Sequence, residues 1–166
     1  MICSRSRCFS PCFTFGCSCQ RPCPPFPQND RPAFGGMIND QSASNLFPAG
    51  VQQILSMPYP TPANKVEYYS APNYITVRRT GTYEVNYKLD LTSAENGTLT
   101  LAVRVNGIDA IVQSNNVSAG IGSSIFGSAF LTLNFGDSLD LALTPAEDMT
   151  MLQLPGFNTF LTVKQI

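Results

Sequence analysis

The chain contains no histidine. That one absence removes the commonest general base, the usual middle member of a nucleophilic triad and the commonest metal ligand. Neither a phosphate-binding loop nor a dinucleotide fingerprint is present, and the glycines fall where turns are expected. Charge is scarce too: 13% of residues are charged, against about 25% in typical soluble domains. Residues 110–136 carry no charge at all. That run is not a membrane span, because Gln113, Ser114, Asn115, Asn116, Ser123, Ser124 and several glycines interrupt it. Buried strands with neutral loops would account for it, and so would a surface that meets other subunits. Free sheet edges are normally protected by charge, so the chain-wide scarcity favours the second reading.

The acids that are present read as solvated rather than chemical. Asp137 and Asp140 flank a tight turn, and Glu147-Asp148 falls on a loop. Paired carboxylates can serve glycosidase chemistry or calcium, but turn acids in water are the commoner case. Ser123-Ser124 has no base partner. An enzyme is therefore the least expected class, and no catalytic residue, cofactor or metal is assigned. Nucleic acid is an unsuitable partner, because residues 33–166 hold six basic and ten acidic residues, a charge of −4. No secretory leader is legible, since the N-terminal apolar runs are short and broken by cysteine and proline.

Cysteine is absent from the body and concentrated in an N-terminal arm, residues 1–32. Cys3, Cys8, Cys12, Cys17, Cys19 and Cys23 share the arm with Phe9, Phe13, Phe15, Phe26 and several prolines, and its charge is +3 from four arginines against Asp30. The arm has neither helical nor strand period. Such a cluster can cross-link the arm to itself, hold a metal, or link copies of the chain. Cys8-x3-Cys12 with Cys19-x3-Cys23 has the spacing of a zinc set, but no histidine or foldable spacer accompanies it. Pairing within the arm allows fifteen connectivities. Linkage between chains is the preferred reading, because a flexible arm meets its neighbours' thiols at high effective concentration.

Residues 33–166 read as one all-β domain, long enough to bury roughly two-thirds of its unfolded surface without a disulfide. Short apolar patches at 34–38, 51–55 and 66–69 are separated by turn residues. From 74 to 143 there is no proline, and the pattern alternates. Tyr83, Val85, Tyr87, Leu89 and Leu91 share one strand face; Leu99 to Val105, Ala129 to Phe135 and Leu139 to Leu143 repeat the period. Thr80-Gly81, Asn96-Gly97, Asn106-Gly107 and Phe135-Gly136-Asp137 mark turns. The last strand is expected at 159–166, inside the sheet. These spacings predict a sandwich of about eight to ten strands.

Four segments carry a resemblance. Gly81-Thr82-Tyr83-Glu84-Val85, Leu99-Thr100-Leu101-Ala102-Val103-Arg104-Val105-Asn106-Gly107, Leu131-Thr132-Leu133-Asn134-Phe135-Gly136-Asp137-Ser138-Leu139 and Asn158-Thr159-Phe160-Leu161-Thr162-Val163-Lys164 stand in the order seen in the C-terminal domain of BclA-type exosporium proteins. Ala33-Phe34-Gly35-Gly36-Met37 resembles that domain's first strand. The family is similar to the complement C1q and tumour-necrosis-factor jelly roll. The resemblance implies an antiparallel ten-strand jelly roll that forms a homotrimer at a bacterial spore surface, in the exosporium or an appendage. It gives the neutral 110–136 run a place near the trimer axis, and Ile125 or Phe126 is expected among the subunit contacts. The family's Gly-X-Y collagen stalk is missing here, and the cysteine arm stands in its position. The expected function is a structural subunit, made in the mother cell without a secretory signal, whose partners are itself and other spore coat or exosporium proteins, with no membrane involved. The alternative is a C1q-like or lectin-like binding head for a carbohydrate or surface ligand. Fold alone does not decide between them.

Overall fold

The computed structural model describes residues 31–153, 156 and 158–166. The six cysteines, and with them the expectations for the arm, lie outside the described residues. Residues Arg31–Ile166 form a compact unit by themselves. Among the described residues there are thirteen strands and no helix. In chain order they are β1 (Phe34–Asn39), β2 (Ala43–Phe47), β3 (Gln53–Ile54), β4 (Tyr59–Pro60), β5 (Val66–Tyr69), β6 (Tyr74–Val77) and β7 (Gly81–Ser93). Then follow β8 (Gly97–Val105), β9 (Ile108–Val117), β10 (Gly122–Leu133), β11 (Ser138–Pro145), β12 (Met149–Gln153) and β13 (Thr159–Gln165). The number exceeds the eight to ten expected because turn residues and prolines cut the segment before residue 72 into several short pieces, β3 and β4 being only two residues each.

All the strand pairings are antiparallel and form two sheets. Sheet A runs β2-β12-β7-β13-β1-β4, with β10 on the free side of β7; sheet B runs β5-β6-β11-β8-β9, with β3 also on β11. The long β7 serves three partners: β10 along one edge, and β13 and then β12 along the other. This is a jelly-roll sandwich. Its core forms where the alternating rows of the two sheets meet. Tyr83, Val85, Tyr87, Leu89 and Leu91 of β7 face Leu99, Leu101 and Val103 of β8 and Leu139, Leu141 and Leu143 of β11 in one buried cluster. Fully burying such a side chain contributes about 1.5–3 kcal/mol.

The turns obey their chemistry. The β8–β9 hairpin turns on Asn106 and Gly107, with φ of 53° and 78°, the left-handed pair that a two-residue hairpin of this hand requires. Gly136, at φ 91°, closes the β10–β11 connection. Phe135 departs from the alternating pattern. β10 ends at Leu133, and the Phe135 side chain stands exposed with the Arg78 guanidinium 5.7 Å from its ring centroid.

Candidate assembly surface

The register of sheet A composes its outer face from three rows. Ile38, Phe160, Lys88 and Phe126 lie side by side across β1, β13, β7 and β10. Next come Gly36, Thr162, Asn86 and Ser128, and then Phe34, Lys164, Glu84 and Phe130. The large apolar groups thus border a middle row of small polar ones. A shallow depression of about 290 Å³ opens there against Phe34, Thr61, Pro62, Asn86 and Thr162. Gly36 is required by this packing, because a Cβ would stand 2.4 Å from the Leu161 carbonyl oxygen.

Phe126 and Phe130 are 69% and 67% exposed, on a strand that, among the described residues, pairs only with β7. Beside β10 in the other sheet runs β9, a second free edge, with Ile108 and Val112 exposed. Exposed apolar residues on open edges, with none of the lysines that usually protect them, are the pattern of a surface built to be covered. The two edges are held together from inside. The Tyr87 ring passes beneath Gly127, where any Cβ would come within 2.3 Å of its Oη, and that hydroxyl donates to Gln113 Oε1 on β9 at 3.2 Å. Burial pushes the Tyr87 phenol above its ordinary value, so it stays a neutral donor.

Of the two residues expected at a subunit contact, the structure separates the pair. Phe126 projects outward. Ile125 is 2% exposed, one residue out of phase, and packs into the subunit's own core. Of the two, Phe126 is therefore the side chain exposed on the subunit's surface. Phe130, four residues on, joins Phe126 on the outer face; the alternation that put Ala129, Leu131 and Leu133 together already implied it.

The acids also need correction at one place. Asp140 is not a turn acid. It lies within β11, 9% exposed, and its two oxygens accept from Arg104 Nε at 2.6 Å and Nη2 at 2.9 Å across the β8–β11 pair. The Asp140 carboxylate raises the Arg104 guanidinium further above its ordinary value, so the pair is a fixed structural tie. Asp137 does sit in the turn, accepting from Asn106 Nδ2 and the Asn134 amide. Glu147 and Asp148 accept from the Thr98 and Ala49 amides. Ser124 donates to Asp90 Oδ1 at 2.6 Å, a carboxylate also bound by Lys88. Among the described residues, no group of three or more acids, cysteines or histidines could hold a metal ion.

No protein-family model and no curated protein matches the sequence. Solved structures do match the fold. The Eiger TNF of S. frugiperda superposes with a TM-score of 0.64 at 16% identity, over 82% of this chain and 93% of that one. Murine APRIL at pH 5.0 superposes with a TM-score of 0.62 at 14% identity, over 82% of this chain and 100% of the other. At such identities the likeness is one of fold. The body of this chain has a C1q/TNF-like jelly-roll fold.

Proposed function

We propose that this chain is a structural, self-assembling subunit of a bacterial endospore surface layer or appendage. Its body associates as a homotrimer through the outer face of sheet A and the β9 and β10 edges. Its cysteine arm then links trimers covalently. The observation that carries this reading is the pair of lysine-free open edges, with Phe126 and Phe130 exposed beside the depression on the same sheet face. A closed three-fold ring needs two different, complementary patches on each subunit, and Phe126 and Phe130 on one strand beside a shallow hollow supply them. Obligate contacts of this kind exceed about 2,000 Å² and are apolar.

The spore setting rests on the resemblance of the four quoted segments to BclA-type proteins. It also suits the arm: thiols made in a reducing cell become oxidised once that cell lyses. In this reading the arm docks through Phe9, Phe13, Phe15 and Phe26 against a neighbouring trimer before its cysteines lock it there.

Two measurements test the reading. Sedimentation velocity on Arg31–Ile166 at micromolar concentration is expected to give a trimer, and a stable monomer would overturn that part. Electron microscopy of the full chain and of purified spores, with and without reductant, is expected to show ordered assemblies that loosen on reduction. Assemblies indifferent to reductant under denaturant would remove the covalent step.

A further inference from the structure

On the side of the sandwich opposite β9 and β10, the edge strands β2 of sheet A and β3 of sheet B flank a slot of about 340 Å³. Five carboxamides line it: Asn39 at the end of β1, Gln41, Asn45 on β2, Gln53 on β3 and Gln153 on β12. Among the described residues, no charged side chain does. Phe47 and Leu55, both buried in the core cluster, form its apolar wall.

The deeper carboxamides are fixed in place. Asn39 and Gln153 are 3% and 7% exposed. Asn39 Nδ2 donates to Gln153 Oε1 at 3.2 Å, and Gln153 Nε2 donates to Thr159 Oγ1 at 3.2 Å. The Gln41 amide donates to Asn39 Oδ1, and the Gln41 carbonyl accepts from Asn158 Nδ2. A primary carboxamide carries two N–H groups and two acceptor lone pairs. Asn39 and Gln153 each use one donor and one acceptor within this chain of bonds, which leaves each one of both kinds. Asn45 and Gln53, nearer the mouth, keep their full capacity, since neither side chain bonds within the described residues.

We propose that this slot is a binding site for a neutral saccharide. Hydroxyl groups are donors and acceptors at once, as carboxamides are, so a polyhydroxylated ring matches this lining group for group. The absence of charge selects against uronates and amino sugars, because an ionised ligand would be desolvated without a counter-charge. The wall of Phe47 and Leu55 suits the C–H face of a sugar ring. The volume lies near the lower end of the roughly 300–1,000 Å³ typical of small-ligand sites, enough for a mono- or disaccharide. The site is independent of the assembly surface and adds a ligand to a subunit whose proposed role is structural.

Saturation-transfer NMR on the full chain tests this, with a panel of neutral mono- and disaccharides, uronic acids, and an extended neutral peptide as competitor. At least one neutral saccharide is expected to show saturable transfer that uronic acids do not compete away. The Asn45→Ala/Gln53→Ala variant removes two mouth carboxamides that stabilise nothing else, and is expected to weaken binding about tenfold at an unchanged melting temperature. Ile54→Trp, at an exposed position on the rim, is expected to block binding by filling the mouth. The proposal is overturned if no neutral saccharide in the panel binds, if both variants bind as the parent does, or if only the peptide occupies the slot. Trimer formation is read separately by sedimentation, so the failure of either idea leaves the other standing.

Discussion

Gly127 shows how much one side chain can decide. A methyl group there would meet Tyr87 Oη at 2.3 Å and Cζ at 2.5 Å, and the ring is confined beneath the strand. Gly127→Ala is expected to destabilise the body by about 1–3 kcal/mol, read from the urea midpoint. Combining it with Tyr87→Ala should cost less than the sum of the two single changes, because the clash is then gone. A second prediction concerns Tyr83, whose hydroxyl donates to the Arg79 carbonyl at 2.7 Å. Burial raises its phenol above the ordinary value, an effect only partly offset by the Arg79 charge. A raised native value means that the unfolded chain loses its proton first. The stabilisation is therefore intact below about pH 10 and is lost as pH rises from there through the native value. Tyr83→Phe is expected to lower stability at neutral pH and to flatten the alkaline decline, seen by comparing denaturation at pH 8 and in the alkaline range above the ordinary phenol value.

At the scale of elements, β9 and β10 separate what is legible in sequence from what is not. Their existence is legible, because period-two alternation and the Asn106-Gly107 turn leave few other structures for this stretch. The neutral 110–136 run marks them as edges. Which residue of each adjacent pair faces out is harder to read. Ile125 and Phe126 are both large and apolar; the row Ala129, Leu131 and Leu133 points Ile125 inward only if the strand runs back to 125 without a bulge, and the unbroken register of β10 on β7 shows that it does. Asp140 is hidden for the opposite reason. Its neighbours Leu139 and Leu141 declare a strand, but its partner Arg104 is far off in sequence, and only the β8–β11 register joins them. The carboxamide slot is illegible by the same logic, since its residues come from four different strands and a linker. The element-scale prediction is that Phe126→Lys with Phe130→Lys gives a folded monomer. Both side chains are exposed in the subunit, so its melting should survive, while sedimentation loses the larger species. If the double variant sediments as the parent does, β10 is not at the contact.

For the whole molecule, the division of labour between arm and body yields the fourth prediction. Replacing Cys3, Cys8, Cys12, Cys17, Cys19 and Cys23 with serine should leave the body's melting unchanged, because residues Arg31–Ile166 form a compact unit and contain no cysteine. The parent chain should migrate as reductant-sensitive multimers on denaturing gels, and the serine variant as a monomer. Each disulfide in such a network adds about 2–4 kcal/mol of stabilisation, but its practical effect is permanence.

The position of β13 bears on timing. It is the last strand in sequence and lies between β7 and β1 in sheet A, supplying Phe160, Thr162 and Lys164 to the outer face. Without β13, β1 and β7 are not joined, so that face loses its middle strand and the hollow against Thr162. Pairings so distant in sequence also form slowly compared with local ones. In the proposed assembly, a subunit therefore becomes able to associate only once residues 159–165 have paired.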